Sequence, residues 1–237
     1  MKTETQKGRQ TGFRFERKFV TSELDQWQLE GIIRQHPALF SPIFWEREVN
    51  NIYFDTSGLQ FFHDNVSGFS KRKKVRIRWY GEDLHSIKKP VLEFKIKEGF
   101  VGYKKSYLLN DFAIPEKIPT GFFNQIFDSS NLPDAIVEEL SYLEPTMMNH
   151  YKRRYFKSFD KKFRCTVDFD LIYYDYRTRL RGVINKSSDP WHRILELKYD
   201  AKFDDDAQHI VNKFPLRVNK SSKYVNGISR FRSSVSL

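Results

Sequence analysis

Apolar and charged residues alternate with a period of two in four separate stretches of the chain: RFERKFV, KKVRIRWYG, VLEFKIK and ILELKYD. Side chains at i and i+2 share one face of a strand, so each stretch is expected to form a strand with its charges gathered on one side. Glu16 and Lys18 fall together in the first, Arg76 and Arg78 in the second, Glu93 and Lys95 in the third, and Glu196 and Lys198 in the fourth. In the second stretch Val75, Ile77 and Trp79 point the other way. Several strands charged on one face and apolar on the other predict a sheet curled around a wet, cationic interior that holds a few carboxylates. Such an interior suits a polyanion together with a divalent metal.

Between these stretches the pattern changes. Residues 1–12 read as a flexible polar tail, and GFRFERKFV as the first strand. Ser22 and Asp25 then give a capping-box-like start to a helix carrying Leu24, Trp27, Ile32 and Ile33, which His36-Pro37 ends. EREVNNIYFDT reads as a strand, and Ser57-Gly58 turns into the short segment LQFFHDNVSG. KVRIRWYG, VLEFKIKEG and GYKKSYLL follow as a meander. Residues 110–150, broken by Pro115, Pro119, Pro133 and Pro145, read as an insertion of two short helices packed outside the sheet. Strands resume with HYKRRYFKSF and KFRCTVDFDLIYYDY; a polar turn over residues 185–189 precedes ILELKYD; a last helix is expected to start within residues 204–206. LRVNKSSKYVNGISRF reads as a polar tail. With no repeat and no linker, the reading is one domain over residues 13–237, α+β and β-dominated.

Composition narrows the partners. Twenty-two Phe and 12 Tyr weight the apolar material toward residues that fit a pleated surface. The formal charge of +11 favours an anionic partner. Nucleic acid is disfavoured, because Trp79 and Phe94 alternate out of phase with the cations and belong to a core, leaving little for base stacking. The single Cys165 allows no internal disulfide and no multi-cysteine zinc site, which points to a reducing, cytoplasmic setting. His63, His85, His150, His192 and His209 have no metal-ligand spacing, and there is no P-loop or Rossmann glycine motif. No apolar run approaches a membrane span and no signal peptide opens the chain, so a soluble protein is expected.

A hard divalent ion takes one or two carboxylates and completes its shell with phosphate and water oxygens, which makes Glu196 and Glu16 the candidate metal ligands and Glu93 a further interior carboxylate. Arginine forks match phosphate oxygens, and lysines supply point charges.

The ordered series ERKF (16–19), NNIYFDT (50–56), KVRIRWYG (74–81), LEFKIKEG (92–99), YKRRYF (151–156), RCTVDFDL (164–171), ILELKYD (194–200) and KSSKYVNGI (220–228) resembles the catalytic domain of vacuolar transporter chaperone (VTC) polyphosphate polymerases, a branch of the triphosphate tunnel metalloenzymes. The resemblance spans residues 13–231 and lies in the combination of motifs, each weak alone. It implies a closed antiparallel eight-stranded tunnel barrel with helices packed outside. It also implies phosphate-binding roles for Lys18, Arg76, Arg78, Lys95, Arg153, Arg164 and Lys198, and for Lys220, Ser222 and Lys223 near the C-terminus, with Glu196 on the metal. Lys104 and Lys105 compete for one further basic position, and Lys104 is preferred. The implied activity is metal-dependent transfer of the terminal phosphoryl of ATP or another nucleoside triphosphate onto polyphosphate, with Mn2+ or Mg2+ as cofactor. A triphosphatase using the same tunnel and a non-catalytic polyphosphate- or nucleotide-binding module are the alternatives. The chain is expected to lack the inositol-phosphate-sensing SPX domain and membrane helices of the eukaryotic polymerases and so to resemble stand-alone bacterial members, with a membrane-protein partner as an open expectation. Having fewer interior carboxylates than the triphosphatase branch tilts the reading toward polymerase.

Overall fold

The structure is a computed structural model that describes residues 9–11, 14–99, 101–179 and 185–232. In chain order its elements are β1 (Arg9–Thr11), β2 (Arg14–Thr21), α1 (Gln26–Gln35), β3 (Ser41–Asp55), α2 (Gln60–Ser67), β4 (Lys71–Tyr80), β5 (Ser86–Ile87), β6 (Val91–Glu98), β7 (Val101–Leu108) and β8 (Phe112–Ala113). The second half adds α3 (Phe122–Ser129), α4 (Asp134–Ser141), β9 (Glu144–Lys157), β10 (Arg164–Asp175), α5 (Tyr176–Arg179), β11 (Asn185–Asp189), β12 (Arg193–Asp200), α6 (Asp204–Val211) and α7 (Lys223–Arg232).

One antiparallel sheet dominates, in the order β1-β7-β6-β4-β3-β9-β10-β12-β2, with β11 also on β10. Eight of its strands, β2, β3, β4, β6, β7, β9, β10 and β12, run for eight residues or more. The short β1 pairs with β7 at one end of the order, while β2, the next strand in the chain, pairs with β12 at the other. The two ends of the sheet are therefore joined by a single stretch of chain. Side chains also link strands distant in that order, Lys95 of β6, third from one end, meeting Glu16 of β2 at 3.1 Å.

Alternation does what the pattern predicts. Val75, Ile77, Trp79, Leu92 and Phe94 are buried on one face of β4 and β6, where α3 and α4 lay down Phe123, Ile126, Phe127 and Leu140. A second apolar layer joins Phe19, Val167, Leu195 and Leu197 to Leu29 and Ile33 of α1 and Ala207 of α6. Burying a side chain of this size is worth about 1.5–3 kcal/mol, so these layers hold the sheet and leave its other face free for charge.

Several details differ from the sequence reading. Residues 9–11 were assigned to the flexible tail, but they form β1, because they find the edge of β7; the remainder of residues 1–12 lies outside the described residues. The cap of α1 is Asp25, in a reciprocal box with Gln28, and Ser22 takes no part. Trp27 is 62% exposed instead of core. Residues 185–189 form β11 against β10, since polar residues pair readily on an open strand edge. The C-terminal segment ends in a helix, α7, and that helix does not pack outside. Tyr224, Ile228 and Phe231 join Tyr173 of β10 and Val49, Tyr53, Met147 and Tyr151, which lie on the same face of β3 and β9 as the charged residues. Gly227 permits the approach: a Cβ there would sit 2.8 Å from Met147 Cε and Tyr173 Cδ1.

Candidate functional site

Three acidic centres on the charged face each hold several cations. Glu93 of β6 accepts from Arg76 Nη2 at 2.6 Å and from Arg76 Nε and Lys104 Nζ at 2.8 Å, with Arg78 Nη1 at 3.8 Å. Register explains the set: Arg76 sits opposite Glu93 on β4, and Ser106, two residues from Lys104, sits opposite it on β7. Glu196 of β12 accepts from Lys198 at 2.7 Å and Lys18 at 3.0 Å, with Arg153 at 3.5 Å and Lys223 at 3.8 Å. Asp168 of β10, fully buried, takes both arms of Arg153, one at 2.6 Å, and also Lys223. Glu16 lies between Lys18 at 3.0 Å and Lys95 at 3.1 Å. With Lys74, whose ammonium donates to Ser222 Oγ at 2.8 Å, nine cationic side chains face four carboxylates.

Neutral groups fix the long side chains. Arg78 Nε donates to Asn51 Oδ1 at 3.0 Å, and Asn51 donates to Asn149 at 2.8 Å; Arg76 Nη1 donates to Tyr53 OH at 3.1 Å. Lys18 also donates to the Ser221 carbonyl at 3.0 Å, and the backbone of Asn219 donates to that of Lys18 at 2.7 Å, so the segment before α7 runs along β2.

The charge balance shows in the ionisation of each group. Burial alone would raise Glu93, but Arg76, Arg78 and Lys104 outweigh it and hold the carboxyl far below its usual range. Glu196 is held down likewise, against burial, by Lys18, Lys198, Lys223 and Arg153. Burial and the Glu196 charge both push Glu16 up, and Lys18, Lys95 and Lys198 reverse them. Lys74 shows the opposite stress: burial, then Lys95 and Lys18, push its ammonium well below the ordinary lysine range. For Lys95 the attraction of Glu16 is outweighed by burial and by Lys18 and Lys198. The protein's own carboxylates therefore leave part of the cationic field unsatisfied.

Of the residues singled out in the sequence, Lys18, Arg76, Arg78, Lys95, Lys104, Arg153, Lys198, Ser222 and Lys223 come together with Glu16, Glu93 and Glu196. Lys105 instead lies against the Tyr103 ring. Arg164 stands opposite Lys198 in register but is exposed at the start of β10, and Lys220 is exposed ahead of α7. The reading missed Asp168, Lys74, Asn51 and Tyr53. The first two carried a signal, since Asp168 shares strand parity with Arg164 and Lys74 with Arg76.

Among the described residues no group of three or more His, Cys, Asp or Glu side chains could hold a metal ion. Glu16 and Glu196 do approach each other, both bound to the one Lys18 ammonium at 3.0 Å. Two carboxylates fit a hard divalent ion that takes its remaining oxygens from phosphate and water, and do not fit an all-protein cage.

The fold is a large antiparallel sheet that carries a half-buried cluster in which cations outnumber carboxylates. The chain belongs to the VTC domain family, whose profile matches residues 13–232. Among solved structures it is similar to a candidate adenylate cyclase from Vibrio parahaemolyticus at a TM-score of 0.51 and 12% identity, covering 90% of this chain and 97% of that one. It is also similar to a candidate adenylyl cyclase from Hippeastrum, HpAC1, described as having a dominant triphosphatase activity, at a TM-score of 0.48 and 14% identity over 95% of this chain and 98% of that one. The first likeness speaks to the fold alone. No curated protein matches the chain in sequence.

Proposed function

We propose that this protein is a metal-dependent polyphosphate polymerase, and that its sheet closes into a basic tunnel in which a nucleoside triphosphate donates its terminal phosphoryl group to a growing polyphosphate chain. The observation that carries the reading is the excess of cations over carboxylates on one buried face, in a member of the VTC domain family. Closure is supported by the sheet ends sharing one stretch of chain and by the Lys95–Glu16 bridge between β6 and β2.

In this reading a terminal oxygen of the acceptor chain attacks the γ-phosphorus, the bond from that phosphorus to the β,γ-bridging oxygen breaks, and the nucleoside diphosphate leaves with the bonding pair. Arg76, Arg78, Arg153 and Lys198 neutralise the phosphoryl oxygens and hold donor and acceptor in line, which is most of what phosphoryl transfer requires. Lys18, Lys95, Lys104 and Lys223 extend the cationic track, and Ser222 caps a phosphate at the start of α7. Glu196, with Glu16, would hold Mn2+ or Mg2+, which supplies charge neutralisation at the phosphate oxygens when bound.

No helix among the described residues is long and apolar enough to cross a membrane. Purified protein incubated with ATP, Mn2+ or Mg2+ and a short polyphosphate primer should lengthen the primer and release ADP. Phosphate release from tripolyphosphate without longer products would select a triphosphatase. Tight tripolyphosphate binding without turnover would select a binding module.

A further inference from the structure

Of the nine cations on the charged face, eight meet a carboxylate and Lys74 of β4 does not. Its Nζ lies 2.8 Å from Ser222 Oγ, and among the described residues no carboxylate pairs with it. Lys95 stands opposite Lys74 in register on β6, and Lys18 reaches the carbonyl of the neighbouring Ser221 at 3.0 Å. Ser222 itself is partly exposed and directly precedes α7, whose Val225 amide donates to Ser222 Oγ at 3.4 Å.

A serine hydroxyl is a weak nucleophile until a base within hydrogen-bond reach, about 2.6–3.2 Å, takes its proton, and lysine fills that role where its surroundings disfavour the ammonium. Lys74 has such surroundings: burial first, then Lys95 and Lys18, act against its charge and outweigh the pull of Glu16. The same cations draw a phosphoryl group toward the hydroxyl. A phosphate ester on Ser222 would place its charge at the N-terminus of a ten-residue helix and among lysines, where the helix dipole and the cations both favour an anion.

We propose that Ser222 is a self-phosphorylation site with Lys74 as its general base. Ser222 Oγ attacks the γ-phosphorus of a nucleoside triphosphate held in the cluster, and its proton passes to Lys74 Nζ. The bond from that phosphorus to the β,γ-bridging oxygen breaks, and the nucleoside diphosphate leaves with the bonding pair. The product is phosphoserine beside a protonated Lys74. This inference rests on the reading that a triphosphate occupies the cationic cluster, and not on growth of a polyphosphate chain.

Incubating the protein with ATP and Mg2+, without primer, and following intact mass and peptide maps tests it. One phosphoryl group per chain should appear at residue 222, with release of ADP. Ser222→Ala should abolish the label, and Ser222→Thr, which keeps the hydroxyl, should retain it. Lys74→Arg preserves the positive charge but cannot take up a proton, so it should still bind ATP by calorimetry while labelling at least tenfold more slowly. Label at another residue, labelling of Lys74→Arg at the parental rate, or no label on protein that binds ATP would each overturn the proposal. Chain growth on an added primer by protein that stays unlabelled would overturn it and leave the polymerase reading standing. Labelled Ser222 without chain growth would support it and sink that reading, and failure to bind ATP would overturn both.

Discussion

Asp168 illustrates how a single buried charge is held. Its carboxylate has no exposure and is shared by Arg153 and Lys223; burial opposes ionisation, and those two cations overcome it. Asp168→Asn would leave both cations underpaired in the interior, so chemical denaturation should report a loss of about 3–5 kcal/mol. Added tripolyphosphate should restore part of it by supplying the missing negative charge. Glu196 and Lys198 lie two residues apart on one strand face and should separate by chemistry. Glu196→Gln should abolish metal-dependent activity and leave metal-free triphosphate affinity equal or tighter, while Lys198→Met should weaken the anion with or without metal. Calorimetry with Mn2+ and with EDTA distinguishes them, and an equal loss for both variants in both conditions would contradict the division. His36 gives a different pH signature. It is buried, donating from Nε2 to the Ile210 carbonyl at 3.0 Å and accepting at Nδ1 from the Ala38 amide at 3.0 Å, and burial pushes its pKa below 6.5. The unfolded chain then binds the proton more readily than the folded one, so stability is full above about pH 6.5 and falls as the pH drops below it. Urea midpoints compared between pH 7.5 and 5.5 should show the fall, and His36→Gln should flatten it.

Among the elements, α7 has the largest consequence. Lys223 in its first turn reaches Asp168, Ser222 just before it accepts from Lys74, and Tyr224 is bound to Asp55, whose carboxylate also accepts the Phe61 and Phe62 amides at the start of α2, at 2.8 and 2.9 Å. One helix therefore connects the charged cluster to the far end of β3. Gly227→Ala tests whether its seat is tight. Helix propensity alone would favour Ala by about 1 kcal/mol, but the new Cβ would lie 2.8 Å from the Tyr173 ring, which is pinned in the core, as well as from the more yielding end of Met147. The clash should win, with a net destabilisation of about 1–2 kcal/mol by urea denaturation. Triphosphate affinity should fall as well, since Lys223 and Ser222 move with the helix. A stabilised variant would mean that α7 has room to spare.

At the scale of the molecule the excess of cations is a stored repulsion that an anion relieves. The protein should therefore gain stability with tripolyphosphate in proportion to RT ln(1 + [L]/Kd), about 2.7 kcal/mol at a hundredfold excess over Kd. Arg76→Ala should reduce that gain by weakening triphosphate at least tenfold, because it removes one positive charge from the cluster and leaves Glu93, its partner at 2.6 Å, less neutralised. Thermal unfolding against tripolyphosphate concentration measures both. An unchanged affinity would return Arg76 to a purely structural partnership with Glu93.

The period-two alternation decided by itself that β4, β6 and β12 would bury Val75, Trp79, Phe94 and Leu195 on one face and gather Arg76, Glu93 and Glu196 on the other, because strand geometry leaves no third choice. The order of weak motifs carried the family. Which cation would meet which carboxylate was not legible, since Lys18 and Glu196 become neighbours only through strand register and Lys95 and Glu16 only through the approach of β6 to β2. Asp168 shared the strand parity of Arg164, but its partners Arg153 and Lys223 reach it only through the fold, and Tyr53 looked like core because its hydroxyl acts only once Arg76 is beside it. The placement of α7 was the least predictable, because a polar, glycine-containing segment becomes a buried helix only where Met147, Tyr151 and Tyr173 offer a seat. Tertiary structure also buried one Glu30 oxygen away from any donor, which no local pattern of residues could foretell.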